Sequence, residues 1–508
     1  MNRKNPRRTL FVLLALFVLL ALLGGALSPG LVLAAAPPAA AERDAGLDIL
    51  LTQKARDILE RVRLVDGQAR TRRVEVSADI AKGVVTVALD RAFLPADYGP
   101  SFEDQRSEIS FGLLHWAEQA APFSRVIFLY DGKEIEHYFP EIKAADDAAR
   151  EAGEALRRIR GTPGSGMAFV AAGHGYFYSY KDNRWVTSRD EWNGVSEGLL
   201  TPSYAEELKA VIEQRSQMPV VRPRVQTMGT THPPSGEEWW TIAARYAIAE
   251  QYPGETKIWN TYAGSALWDR EEREDINSRP LLANHHRAEV AIHLHSNGEP
   301  SGSARGTRVI VQPGRPMDAA LAQSVLCSMK ELIHSLPEHG AFTVAPAPHA
   351  LDKGENREAH MPSIIVETAF HTNPDDAKAL LDPVFRSAAM KGVEKGYRLW
   401  ATGKACEPLA LQALPDVEIP LHSSREVMVN FAGNPQYPLT VEVSVADCDR
   451  LGVCTPWEGR FDVPGEPVKY KTSCTSSKPG VVRWSVLIRD ADGVTAPPVE
   501  FNQACVRV

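Results

Sequence analysis

The sequence contains no Cys-x-x-Cys, and its 508 residues hold only six cysteines. That absence argues against a zinc site built from cysteines, which pairs thiolates at such spacings. An excess of positive charge is also missing: 56 Lys and Arg face 64 Asp and Glu, for a net charge of -8. Nucleic acid demands a basic surface, so no nucleic-acid partner is expected. Beyond residue 27 no segment is long and apolar enough to span a bilayer, which takes ~20 residues. Internal repeats are absent, and the only biased stretch is an Ala/Pro-rich segment at 34–41.

What remains is an ordinary globular balance, 44% hydrophobic and 24% charged, in a chain long enough for several domains. The exception is the N-terminus. Arg3, Lys4, Arg7 and Arg8 precede an apolar run over 10–27, the layout of an export signal. Gly24, Gly25, Pro29 and Gly30 break its far end. Ala39 and Ala41 before Glu42 form a small-x-small cleavage site; Ala34 and Ala36 form another, followed by Pro37. Residues 1–41 are read as a cleaved signal peptide or a retained membrane anchor. Both place the bulk of the chain outside the cytoplasm, in the periplasm, cell wall or extracellular space. Cysteines in an exported chain are expected as disulfides, here Cys448–Cys454, Cys474–Cys505 and Cys327–Cys406.

Three folded parts are expected. A small α+β domain covers 45–150. It opens with a helical or linker stretch at 45–63, followed by alternating valines at 74, 76, 85 and 87 that indicate half-buried strands. A helix follows at 103–120, then a hairpin turning at Asp131-Gly132. Residues 163–406 alternate apolar strands (167–171, 289–294, 307–311, 363–366) with helices (204–214, 319–335, 374–402). Such alternation predicts an α/β domain, a mixed sheet layered with helices. From 415 to 508 short strands and turns predict an all-β sandwich stapled by disulfides.

Three strand ends in the middle domain carry polar residues. Residues 168–172 run into Gly173-His174-Gly175, a tight turn that exposes an imidazole. Residues 288–297 carry His293 and His295 on one face of a strand. Residues 361–366 lead into Glu367, a carboxylate at the end of a buried strand. Such a group is costly there unless paired or bound, which marks it as a candidate general base or metal neighbour. Taken singly, each has a plainer reading: a surface histidine, a packed histidine, a salt-bridged glutamate.

Together the three segments resemble the zinc-dependent N-acetylmuramoyl-L-alanine amidases of the amidase-3 family. Gly173-His174-Gly175 matches the family's first turn. Ala283-Asn284 followed by Leu294-His295-Ser296-Asn297 matches its second segment. Pro362 followed by Glu367-Thr368-Ala369-Phe370-His371-Thr372-Asn373-Pro374-Asp375-Asp376 matches its third. The resemblance covers 167–401. It implies an exported enzyme that binds Zn2+ through His174, Glu197 and His295 and uses Glu367 as catalytic glutamate. It also implies peptidoglycan as substrate, cut between N-acetylmuramic acid and L-alanine. The middle ligand is chosen as Glu197 in Gly194-Val195-Ser196-Glu197-Gly198, with Glu191 as second choice; Gly198 departs from the polar residue usual in the family. His293 is left as a neighbour. Arg279 is expected to be structural, and Arg357 is a candidate contact for a stem-peptide carboxylate.

Two other readings stay open: a zinc peptidase of other specificity, and a non-catalytic wall-binding protein. Residues 230–277, rich in Trp and charge, are read as an inserted helical lid or binding wall, or as an insertion packed on the domain. The first domain resembles the GerMN domain of spore-germination proteins, with an unspecialised spacer as the alternative. Nothing in the sequence points to an obligate protein partner.

Overall fold

Alternation of apolar residues at period two builds both faces of a long central sheet. A computed structural model of the protein describes residues 44–160, 166–448 and 454–507. The predicted signal or anchor lies outside the described residues. No described helix is long and apolar enough to cross a membrane.

The sheet strands are β1 (Val74–Asp79), β2 (Val84–Leu89), β3 (Arg125–Tyr130), β4 (Ala168–Ala172), β7 (Val220–Val221), β8 (Val290–Asn297), β9 (Arg308–Val311), β10 (His349–Ala350) and β11 (Ser363–Phe370). A side hairpin supplies β5 (Tyr176–Ser179) and β6 (Arg184–Thr187). Spatial order is β1-β2-β3-β10-β9-β11-β8-β4-β7. The pairs β1–β2 and β9–β11 are antiparallel and the others parallel. This mixed sheet agrees with the expected α/β class. It also runs further than the sequence suggested: strands β1–β3 of the N-terminal segment continue the sheet of the middle segment through the β3–β10 pair.

Helices are α1 (Ala45–Arg61), α2 (Pro100–Ala117), α3 (Pro140–Arg160), α4 (Glu197–Val211), α5 (Ala244–Gln251), α6 (Thr256–Trp259), α7 (Arg270–His285), α8 (Pro316–His334), α9 (Gly354–Arg357), α10 (Pro374–Leu381) and α11 (Pro383–Ala401). The predicted helix at 374–402 is broken by Asp382-Pro383, which ends α10 and starts α11. The Asp131-Gly132 turn forms, with positive φ at both residues. It closes only a single bridge, Tyr130 to Lys133, and a 3-10 turn at Ile135–His137 replaces the second hairpin strand.

Even-numbered residues of the central strands (Ala168 and Val170; Val290, Ile292 and Leu294; Ile364 and Val366) enter one core with residues of α4, α8 and α11. Odd-numbered residues up to Glu367 face the other way, and the register shift in β11 between Glu367 and Phe370 brings Phe370 to that side as well. Phe169, Ala171 and Ala291 pack with residues of α5 and α7. Ile310, Ile365 and Phe370 share a core with Phe111, Leu113 and Leu114 of α2. Both faces are therefore covered, as near-continuous apolar strands require.

The C-terminal part is all-β. Its five-stranded sheet runs Val417–Pro420, Val499–Val506, Gly480–Arg489, Leu439–Cys448, Trp457–Phe461, and Ser424–Met428 pairs with Lys469–Ser473. The three disulfides pair as expected: Cys327–Cys406, Cys448–Cys454 and Cys474–Cys505.

Candidate metal centre

Parallel strands β4, β8 and β11 end on the same edge of the sheet, where the loops that follow converge. His174 lies in the turn just past β4. His295 sits near the end of β8, and Glu367 lies opposite it in register on β11. Both occupy odd positions, on the face covered by α7 and α2. Glu197 is the first residue of α4, where a carboxylate is favoured by the helix dipole.

The turn needs its glycines. His174 has φ of 60° and Gly175 of 135°. A Cβ on Gly173 would lie 2.4 Å from the His295 ring, and one on Gly198 would lie 2.8 Å from the Gly175 nitrogen. Helix α4 thus packs its first turn directly on the histidine loop, which accounts for glycine at 198. Two buried side chains fasten the same backbone. Thr201 Oγ1 donates to the Gly173 carbonyl at 2.9 Å. Arg224 donates to the carbonyls of Gly173, Gly198 and Trp240 at 3.3, 2.9 and 2.7 Å.

These contacts bring the predicted residues together. One ligand atom each from His174, Glu197 and His295 lies within 4.8 Å of the others. His295 Nδ1 is 3.0 Å from Glu197 Oε1, and His174 Nε2 is 3.6 Å from Glu197 Oε2. The Ser296 N–H also donates to Glu197 Oε1 at 3.0 Å. The relative exposures of His174, Glu197, His295 and Glu367 are 6, 2, 7 and 8%, so all four are shielded from bulk water. Glu191, the second choice for the middle ligand, is exposed and separate from this group.

Electrostatics fit a cation. Burial holds His174 well below its ordinary pKa, leaving a neutral imidazole able to donate a lone pair. Burial opposes a charge on His295, but Glu355 and Glu197 on either side of its ring raise it to about 10. Positive charge is thus favoured between these carboxylates, and a divalent ion is one way to supply it. Burial raises Glu367 to about 7 against the pull of His295, with Glu197 adding to the rise. Its Oε2 is buried without a hydrogen-bond partner. Two imidazoles, one carboxylate and a nearby unpaired carboxylate make a donor set of the catalytic metal type.

Several members of the site carried no signal in the sequence. Glu355, in α9, contacts His295 Nε2 at 3.0 Å and His293 Nδ1 at 3.2 Å, and pairs with Arg279. Arg189 pairs with Asp104 of α2 and with Glu272 of α7 at 3.1 Å. Lys353 reaches Asp104 at 2.6 Å. His371 accepts or donates at Nδ1 to the Ser296 hydroxyl at 2.9 Å. Arg357 departs from its expectation. It is buried and pairs with Glu103 at 3.0 Å and Asp352 at 2.7 Å, so its charge is spent inside the protein rather than offered to a substrate.

The 230–277 insertion packs between the sheet and the N-terminal segment. Trp185, His232, Trp239 and Tyr246 form one ring cluster. Trp268 Nε1 donates to Asp66 at 2.9 Å. Near the insertion's end, on α7, Arg273 pairs with Asp97 at 2.9 Å and with Asp269 at 2.9 Å.

Comparison with known proteins falls on this same middle part. Residues 169–398 match the family model Amidase_3, N-acetylmuramoyl-L-alanine amidase. No curated protein matches the chain. Among solved structures, the CwlD amidase of Clostridioides difficile in complex with the GerS lipoprotein shares 14% identity and covers 47% of this chain and 100% of its own, with a TM-score of 0.33. The corresponding values for the N-acetylmuramoyl-L-alanine amidase AmiC2 of Nostoc punctiforme are 16%, 48%, 99% and 0.32. For Ami1 of Mycobacterium smegmatis they are 13%, 48%, 100% and 0.32.

Proposed function

Starting from the match of residues 169–398 to the N-acetylmuramoyl-L-alanine amidase family model, we propose that this chain is a zinc-dependent peptidoglycan hydrolase. It cleaves the amide joining the lactyl group of N-acetylmuramic acid to L-alanine of the stem peptide. The observation that carries the reading is the convergence of His174, Glu197 and His295 beside the unpaired carboxylate of Glu367.

His174, Glu197 and His295 would hold the ion. When bound, zinc supplies Lewis acidity, which polarises an amide carbonyl and acidifies water. The rest of the chemistry belongs to the chain. Glu367 Oε2 takes the proton of the attacking water and returns it to the departing amide nitrogen. A carboxyl poised near neutrality suits both transfers, because it can be base and then acid without a large penalty. Burial of the four groups excludes competing water and strengthens their fields. The charged-then-apolar N-terminus supports export to the cell envelope, where this substrate lies.

Mass spectrometry of a peptidoglycan digest, with and without a chelator, tests the reading. Release of intact stem peptides with N-terminal L-alanine, abolished by the chelator and restored by zinc, is the expected result. Peptide cleavage at any other bond would point to a zinc peptidase, and absence of any product would reject the enzyme.

A further inference from the structure

We propose that Glu355 is a positioning residue for the metal ligand His295: it fixes the imidazole in the tautomer that presents Nδ1 to the ion. The inference rests on the zinc reading above and adds to it a residue outside the ligand set.

The two ring nitrogens of an imidazole point away from each other. In His295, Nδ1 faces Glu197 at 3.0 Å, on the side where His174 also approaches. Nε2 therefore points outward, and Glu355 Oε2 stands 3.0 Å from it. The ring lies between an inner carboxylate that shares the ion and an outer one that does not. A ligand histidine commonly donates its second N–H to a carboxylate in this way, which selects the tautomer, holds the ring plane and raises the basicity of the nitrogen that binds.

Glu355 is itself held. Its Oε1 is gripped by the Arg279 guanidinium and lies 3.2 Å from His293 Nδ1. Arg279 is in turn paired with Asp275 at 2.8 Å, one turn earlier on α7. The Glu355 carboxylate faces the Arg279 guanidinium and the rings of His293 and His295. It is thus a fixed anion, carried on the short helix α9 and braced from α7. Gln, Asn or water at the same place would offer an acceptor without the charge.

One detail indicates a ligand-dependent role rather than a static salt bridge. Nε2 of His295 is buried and has Glu355 Oε2 at hydrogen-bond distance, but makes no aligned hydrogen bond to it. The separation is already right and only the direction is off. A cation held at Nδ1 would let Nε2–H align with Oε2 through a small turn of the ring. His293 Nδ1 likewise stands 3.2 Å from Glu355 Oε1, near but not aligned.

Zinc affinity of the full chain, measured by competition with a chromophoric chelator, provides the test. Glu355→Ala should weaken zinc binding 10–100-fold, the usual effect of losing an outer partner of a ligand histidine. Glu355→Gln, which keeps the shape and one acceptor oxygen, should fall between that variant and the wild type. Circular dichroism establishes that each variant is folded; if Glu355→Ala is not, Glu355→Gln decides the matter. Nitrogen-15 long-range correlation spectra of the zinc-loaded wild type should place the His295 proton on Nε2. Unchanged zinc affinity in a folded variant, or a His295 proton on Nδ1, overturns the assignment while leaving the zinc reading intact. A wild-type chain that binds no zinc overturns both.

Discussion

At the scale of single residues, the site depends on a division of labour between buried acids. Glu197 faces His295 and the Ser296 N–H; burial opposes its charge, but His295, with His371 and Arg189, holds its pKa below the ordinary value. Glu367, a few positions away in space, is raised to about 7 by burial and has a free oxygen. Under the proposed function, this difference in environment suits Glu197 to binding and Glu367 to proton transfer. Glu367→Gln should bind zinc as the wild type does and lose about 10²-fold or more of its turnover, read by metal analysis and a muropeptide assay. Retained turnover would remove Glu367 from the mechanism. The proposed ligands His174 and His295 were legible in the sequence because each lies at or just past the end of an apolar strand, whereas Glu197, the first residue of α4, was placed only through the family resemblance. Glu355 was not. It sits in Asp352-Lys353-Gly354-Glu355-Asn356-Arg357, whose charge density resembles a solvated turn. Burial there comes from α2 closing over it, with Glu103 reaching the Gly354 N–H across 251 residues of sequence and Arg357 across 254.

Among the secondary elements, helix α8 begins with an acid in an unfavourable place. Asp318 lies in the first turn, where the dipole favours it, but it is buried and its Oδ2 has no hydrogen-bond partner. Burial raises its pKa to about 7 and Asp146 adds to the rise, against the opposing charge of Arg315. The folded state therefore keeps a proton that the unfolded chain releases above about pH 4. Stability falls as pH rises from there to about 7 and then levels off, for a total of roughly 2–4 kcal/mol from this residue. Asp318→Asn removes that dependence. Its melting temperature relative to the wild type should climb between pH 5 and pH 8; an offset that stays constant with pH would contradict the assignment. Element positions were mostly readable from periodicity. The failure at 131–135 was a turn whose local chemistry was correct but whose outgoing chain lacks a strand partner, so it coils into a 3-10 turn.

Considered as a whole molecule, the N-terminal segment and the middle segment share one sheet and one core. Ile310, Leu351, Ile365 and Phe370 pack in the same cluster as Phe102, Phe111 and Leu114. This continuity was hidden in the sequence, because β3 and β10 are more than 200 residues apart and β10 is only two residues long. Uncovering four large apolar side chains at about 1.5–3 kcal/mol each removes about 6–12 kcal/mol, comparable to the total stability of a typical domain. A fragment of residues 166–507 should accordingly aggregate or melt far below the full chain in scanning calorimetry. A monodisperse fragment with the full chain's melting temperature would show that the two parts are independent. The central claim is that residues 174, 197 and 295 together hold one zinc ion. Anomalous diffraction at the zinc absorption edge, from crystals of zinc-loaded protein, addresses it directly. The account predicts a single strong peak bonded at about 2.0–2.2 Å to both imidazoles and the carboxylate. A peak elsewhere in the molecule, or none in fully loaded crystals, would contradict it.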